Sequence, residues 1–308
     1  MRWGWRVVEP DARHRTGVLG ATSLVGTCLL PRLIESGVEV IAHSRQRALD
    51  PAGAGVEWRQ LDGGGASAGN KPGVELLVDP IFCWICVAPV WVLPDYFGLL
   101  EARGARRVVV LSSTSRFTKD DSNDPHEQDV AVRLATAEAR VQQWAERCGV
   151  EWVVLRPTLI YGLGRDKNIA EIARFIRRTG FFPLFGKAGG LRQPIHVQDV
   201  ASACVAALQA PAVVDRAYNI SGGETLSYRA MVLRIFAALG RRPRLLTVPL
   251  WSFSLAVMVL RWLPRYRQWS SAMAERMNRD LVFDHLDAAR DFGFKPRAFV
   301  LDAGDLPL

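Results

Sequence analysis

The strongest constraint on this chain is the alternation of apolar strand-like segments with segments of helical period over its first half. TGVLG (Thr16–Gly20) reads as a short strand. Leu24 to Gly37 follows with Leu29, Leu30, Leu33 and Ile34 at helical spacing and Gly37 at the left-handed C-terminal position. VEVIAHSR, VEWRQLD, IFCWICVAP and RRVVVLSSTS are the next strands, with a helix over about Pro94–Arg103 before the last of them. Val130 to Cys148 carries Leu134, Ala137, Val141, Trp144 and Cys148 on one helical face, and VEWVVLRPTLIYG is a sixth strand. Strands this apolar are buried on both faces, which predicts an α/β fold with a doubly wound parallel sheet over residues 16–160, after an extension over 1–15. Beyond 160 the pattern changes to short helices and Gly/Pro turns such as FFPLFGKAGG. Residues 161–308 therefore read as a smaller region. Within it, 192–222 (QPIHV, a helix Val200–Leu208 capped by Asp199, and AYNISGGE) packs back onto the sheet.

The first turn has a chemistry of its own. In Gly20, Ala21, Thr22, Ser23, Leu24, Val25 and Gly26 a glycine-containing turn leads from strand into helix, where free N–H groups and the helix dipole attract phosphate. Gly20 allows close backbone approach and Gly26 close helix–strand packing, while Ser23 stands where such a turn usually has a third glycine. At the end of the second strand an acidic residue would bind a ribose 2′-hydroxyl, whereas an arginine would accept a 2′-phosphate. The chain has Arg45 there, in AHSR, so NADP(H) is favoured over NAD(H).

Composition excludes several alternatives. The net charge of +8 comes from 39 basic residues, of which only five are lysine. This favours an anionic small-molecule partner, but the arginines are scattered, GRRPRLL (Gly240–Leu246) being the nearest approach to a cluster. No basic stripe interleaved with aromatics is present, so nucleic acid is not expected as a partner. The N-terminus lacks the apolar run of a secretory signal, and five irregularly spaced cysteines fit reduced thiols, so a cytoplasmic protein is expected. CWIC (Cys83–Cys86) lies within a strand that would turn its two sulfurs to opposite faces, and no metal-ligand spacing occurs elsewhere. Ile81–Leu93 and Val248–Leu260 are too short to span a bilayer. The second is followed by Arg261 and Trp262. It reads first as a helix packed in the smaller region, and alternatively as one lying in a membrane interface.

Taken together, these motifs resemble the atypical extended branch of the short-chain dehydrogenase/reductase superfamily, the NAD-dependent epimerase/dehydratase family. GATSLVG is similar to its Gly-Ala-Thr-Gly-x-x-Gly turn, LRPTLIYG to its Arg-Pro-x-x-x-Tyr-Gly signature, and QPIHVQDVASA to its Ile-His-Val-x-Asp-Val-Ala motif. The resemblance runs from about Thr16 to Pro296. It implies a Rossmann-type fold with a C-terminal substrate-binding region. It also places Leu61 and Asp62 beside adenine, Val87, Ala88 and Ser112 along the cofactor, and Pro157 and Ile160 at the nicotinamide. Thr114 takes the catalytic Ser/Thr position.

The resemblance also implies a Tyr-x-x-x-Lys pair at the start of the Val130–Cys148 helix, where the lysine lowers the tyrosine's pKa for proton exchange. The places are filled by Val132 and Thr136, or by Val130 and Leu134. None of the five tyrosines is followed four residues later by lysine, so the pair is absent from the whole chain. Thr114 and Tyr161 are the remaining catalytic candidates, with Lys167, His196, Lys119 and His126 as weaker ones. The expected function is an NADP(H)-binding oxidoreductase or epimerase-like protein acting on a hydroxyl or carbonyl substrate such as a nucleotide sugar. A phosphorylated substrate would suit Arg165, Arg174, Arg177, Arg178 and Arg192. A non-enzymatic dinucleotide-binding regulator or assembly subunit is the alternative, and a membrane-peripheral enzyme on a lipid-like substrate the second. A homo-oligomer remains open.

Overall fold

The computed structural model describes residues 15–45, 55–61, 79–120, 122, 124–249 and 275–307. Asp62, most of the N-terminal extension and residues 250–262 of the apolar run lie outside them. The first half contains β1 (Arg15–Leu19), α1 (Leu24–Glu35), β2 (Glu39–Ser44), β3 (Val56–Gln60) and β4 (Cys83–Cys86). A 3₁₀ stretch over Val90–Tyr96 runs into α2 (Phe97–Ala102), followed by β5 (Arg107–Leu111), α3 (Ser115–Thr118), α4 (Pro125–Cys148) and β6 (Glu151–Pro157). Then come β7 (Ile160–Tyr161), α5 (Ile169–Thr179), β8 (Phe182–Phe185), β9 (Leu191–Arg192), β10 (Ile195–His196) and α6 (Val197–Gln209). The chain continues through β11 (Arg216–Ile220), β12 (Leu226–Ser227), α7 (Tyr228–Ala238), β13 (Leu245–Val248) and α8 (Leu286–Phe292).

Seven strands form one parallel sheet in the order β11-β6-β5-β4-β1-β2-β3. The direction of winding reverses between β1 and β4, and a crevice opens at such a point beyond the carboxyl ends of the strands. Strand alternation sends Ile85, Val109, Val153 and Leu155 into a core shared with α1 and α6, while Trp84, Cys86, Val108 and Val154 pack against α4 on the other face. Cys83 and Cys86 of CWIC accordingly face opposite sides of the sheet. A third core joins Tyr161 and α5 to β8, α7 and Phe299.

Three details depart from the reading of the sequence. The long helix starts at Pro125, five residues before Val130, because Asp124 accepts a hydrogen bond from the His126 N–H at 3.0 Å and proline suits the first helical position. α6 starts at Val197 with His196 as its cap, through Nδ1 accepting from the Gln198 N–H at 3.2 Å. Asp199 lies inside the first turn and instead takes the Arg297 backbone N–H and guanidinium, both at 3.0 Å. Finally, AYNI of the AYNISGGE segment belongs to β11, the seventh strand, paired along β6 from Arg216↔Val153 to Ile220↔Pro157.

Candidate functional site

At the switch point, β1 ends in Gly20 at φ +82°. A β-carbon there would lie 2.4 Å from the Ala88 backbone nitrogen, so the turn can approach β4 this closely only without a side chain. Gly26 is pressed in the same way: a β-carbon would meet the Ala21 carbonyl oxygen at 2.3 Å. Ser23 is the N-cap of α1, and its hydroxyl accepts the Gly26 N–H at 3.1 Å. The serine in place of a glycine therefore satisfies one of the helix's four free donors, while the first turn carries no acidic residue to repel an anion.

Beside this turn lies a cleft of about 390 Å³, lined among others by Gly20, Thr22, Ser23, Arg45, Leu61 and Ala88. These are sequence-predicted site residues brought together from the ends of four strands. Of the other turn residues, Ala21, Val25 and Gly26 are buried, and Leu24 packs on the core they share with α1. Val87 is buried, its N–H donating to the Leu19 carbonyl at 2.9 Å. His43, Ser44, Pro89 and Tyr96 also line the cleft, and nothing in the sequence marks them as site residues. Spacing from the glycine turn points only to the residue after β2, so these neighbours had no motif to mark them. His43 is 2% exposed, donates from Nδ1 to the Ile41 carbonyl at 3.2 Å and tilts against Trp84. Burial pushes its pKa down to about 4, so it is neutral at pH 7 and adds no charge to the cleft.

The ends of β5 and β6 are different. Ser112 donates to Glu138 at 2.5 Å, and the same carboxylate, 5% exposed, is held by Arg116 and by Arg156 Nη2 at 2.6 Å. No sequence motif marks Glu138; its burial on the inward face of α4 gives it this role. The Thr114 backbone N–H and hydroxyl both donate to the Pro157 carbonyl at 3.1 Å, which joins two predicted residues but engages the hydroxyl. Ile160 pairs with Ile195 and packs on the core below.

Tyr161 is fully buried, its ring edge-on to His196 and Phe299 and its hydroxyl donating to the Val300 carbonyl at 3.1 Å. Burial pushes that hydroxyl up to about 12, the wrong direction for proton exchange near neutral pH. On α4, Val132 is 61% exposed and Thr136 is exposed, whereas Leu134 is buried and Val130 packs on the core. The inward pair is thus Val130 and Leu134, both apolar. His196 donates from Nε2 to Asp305 at 3.0 Å. Lys119 is half-buried 3.9 Å from Glu127, and burial lowers its pKa.

The arginines of the second region also divide. Arg192 is 4% exposed and donates to the carbonyls of Leu191, Arg276 and Arg279, so it is structural and unavailable to a substrate. Arg174 binds Glu171 and the Gly164 carbonyl, and Arg177 the Pro307 carbonyl. Arg165 crosses to α1, donating to the Thr27 hydroxyl at 3.1 Å. Among the described residues no group of acidic, histidine or cysteine side chains could hold a metal ion, and no helix is long and apolar enough to cross a membrane.

The NAD dependent epimerase/dehydratase family matches residues 97–221. The UDP-glucose 4-epimerase of Vibrio cholerae is 23% identical over 180 residues, 58% of this chain and 52% of that protein. The chain thus spans about half the length of the first curated relatives it matches. A Streptomyces griseus (4-alkanoyl-5-oxo-2,5-dihydrofuran-3-yl)methyl phosphate reductase is 27% identical over 228 residues, 73% of each chain. Among solved structures, MoeE5 in complex with UDP-glucuronic acid and NAD superposes with a TM-score of 0.66 over 92% of this chain and 94% of that one, at 21% identity. That likeness bears out the α/β, Rossmann-type parallel sheet.

Proposed function

We propose that this chain is a member of the NAD-dependent epimerase/dehydratase family that binds NADP(H) and acts on a hydroxyl or carbonyl compound bearing an anionic group, such as a nucleotide sugar. The observation that carries the reading is the cleft at the β1/β4 switch point, with Gly20 pressed on Ala88 and Arg45 at its wall. The family match and the epimerase and reductase relatives support a nicotinamide dinucleotide. The preference for the 2′-phosphate rests on Arg45 alone.

When bound, the nicotinamide supplies the hydride chemistry. The turn Gly20–Gly26 would hold phosphate at the α1 N-terminus, Arg45 the 2′-phosphate, and Leu61 the adenine, with Asp62 proposed beside it. Val87, Ala88, Ser112, Pro157 and Ile160 are proposed along the remaining path. Among the described residues Thr114 is the hydroxyl best placed in sequence to touch substrate, once it leaves the Pro157 carbonyl. Nothing in the Val130–Leu134 pair can move a proton.

That apolar pair favours a second reading, a dinucleotide-binding regulator or assembly subunit without turnover. NADPH fluorescence titration combined with turnover on a panel of nucleotide sugars and carbonyl compounds separates the two. Binding with turnover that Thr114→Ala abolishes supports the enzyme, whereas binding without any turnover supports the second. Arg45→Asp is expected to weaken NADPH about tenfold more than NADH, and equal weakening of both would remove the 2′-phosphate role.

A further inference from the structure

The end of the molecule where α5 and α7 finish is more cationic than the fold requires. Arg241 Nη1 donates to the Ile176 carbonyl at 3.0 Å, which brings the segment after α7 against the last turn of α5. Two helix C-termini present about one negative charge between them. Against it stand Arg177, Arg178, Arg241, Arg242 and Arg244, all exposed. Arg177 and Arg241 are taken up by the carbonyls of Pro307 and Ile176. Arg178, Arg242 and Arg244 form no ion pair among the described residues.

Two apolar side chains share this surface. Phe181 is 37% exposed and Leu246 54% exposed. The Phe182 N–H donates to the Arg244 carbonyl at 2.9 Å, and β13 runs parallel to β8 with Leu245 in register with Phe182 and Leu246 with Pro183. Phe181 therefore adjoins Arg244, and Leu246 lies two residues further along the same two-stranded ribbon. Exposed apolar groups set among unpaired cations match the two attractions of a negatively charged bilayer, which takes apolar side chains into its interface and draws arginine to its surface. A single-stranded nucleic acid would need several open aromatic platforms, and among the described residues this surface exposes one ring, Phe181, with Phe175 half-buried edge-on against it. In sequence, the chain that leaves β13 continues in the same character, with PLWSFSLAVMVL followed by Trp262, Arg265, Arg267 and Trp269.

We propose that the α5–β8 and α7–β13 connections form a docking surface for an anionic lipid bilayer. This is independent of what the cleft binds. The test is co-sedimentation of the full chain with vesicles of phosphatidylcholine alone or with about 30 mol% phosphatidylglycerol. Binding to the anionic vesicles, little to the neutral ones, and release at high salt are expected. Arg178→Gln with Arg242→Gln and Arg244→Gln, all exposed positions, should weaken binding roughly 100-fold with little change in the melting temperature. Phe181→Ser with Leu246→Ser should weaken it about tenfold and leave the salt dependence in place. Equal binding to both vesicles, no binding, or binding unchanged in the triple variant would overturn the proposal. So would attachment lost only on replacing Trp262 and Trp269, or an oligonucleotide bound through the same arginines in preference to vesicles.

Discussion

The carboxyl edge of the sheet has two halves built on opposite terms. At β1, β2 and β4 the side chains leave space: an open cleft, a capped helix start without acidic residues, and Arg45 at the wall. At β5 and β6 the polar groups are already matched to one another, Ser112 and two arginines to Glu138, Thr114 to Pro157. The first half keeps an open cleft. The second is organised around its own internal bonds, so chemistry there requires a group to exchange a protein partner for a substrate.

The contrast can be broken at several points. The largest effect is expected from Glu138→Ala, which leaves Arg156 beside a cavity without its carboxylate; urea unfolding should show a loss of about 3–5 kcal/mol, with NADPH affinity little changed. A large affinity loss at preserved stability would instead join the two halves. Gly20→Ala drives a β-carbon into the Ala88 backbone from a left-handed position, and should cost roughly 3 kcal/mol and most dinucleotide binding. Normal binding by that variant would remove the turn from the site.

His43 links the open half to pH. Its folded-state pKa lies below the ordinary histidine value of 6.5, at about 4, because burial disfavours the imidazolium. The neutral ring is therefore fully tolerated above pH 6.5, and stability falls as pH drops from there toward 4, by about 2–3 kcal/mol at pH 4.5. His43→Gln should flatten that part of the profile in denaturation at successive pH values. The smallest effect is expected at Ser23: alanine removes the cap and about 1 kcal/mol, glycine only a few tenths. A larger loss of phosphate affinity than of stability in Ser23→Ala would show the hydroxyl facing the ligand as well.

The parts of this molecule legible in sequence are those governed by period and by turn chemistry. The six expected strands, the faces of CWIC and the pairing of Gly20 with Arg45 follow from alternation and from the stereochemistry of a strand–helix turn, whereas Leu61 is placed only by the family resemblance. Glu138 escaped because a buried carboxylate on a helix looks like any surface glutamate until Arg116 and Arg156, which approach it from other elements, are in place. Asp199 reads as a cap because a carboxylate before an apolar run is a common helix signal, but His196 takes that position and Arg297, 98 residues away, claims the carboxylate. The start of α4 at Pro125 was hidden in a polar stretch whose cap is set by one aspartate–proline pair.

Strand β11 has a consequence for how the chain comes off the ribosome. Its residues pair with β6 only after more than fifty intervening residues have been made, and α6, from the same stretch, covers the face of α1. Until then β6 presents an unpaired apolar edge, the kind of surface on which nascent chains cross-associate. A fragment ending near residue 160 should therefore collect in inclusion bodies: the boundary that divides the sequence does not divide the folding unit.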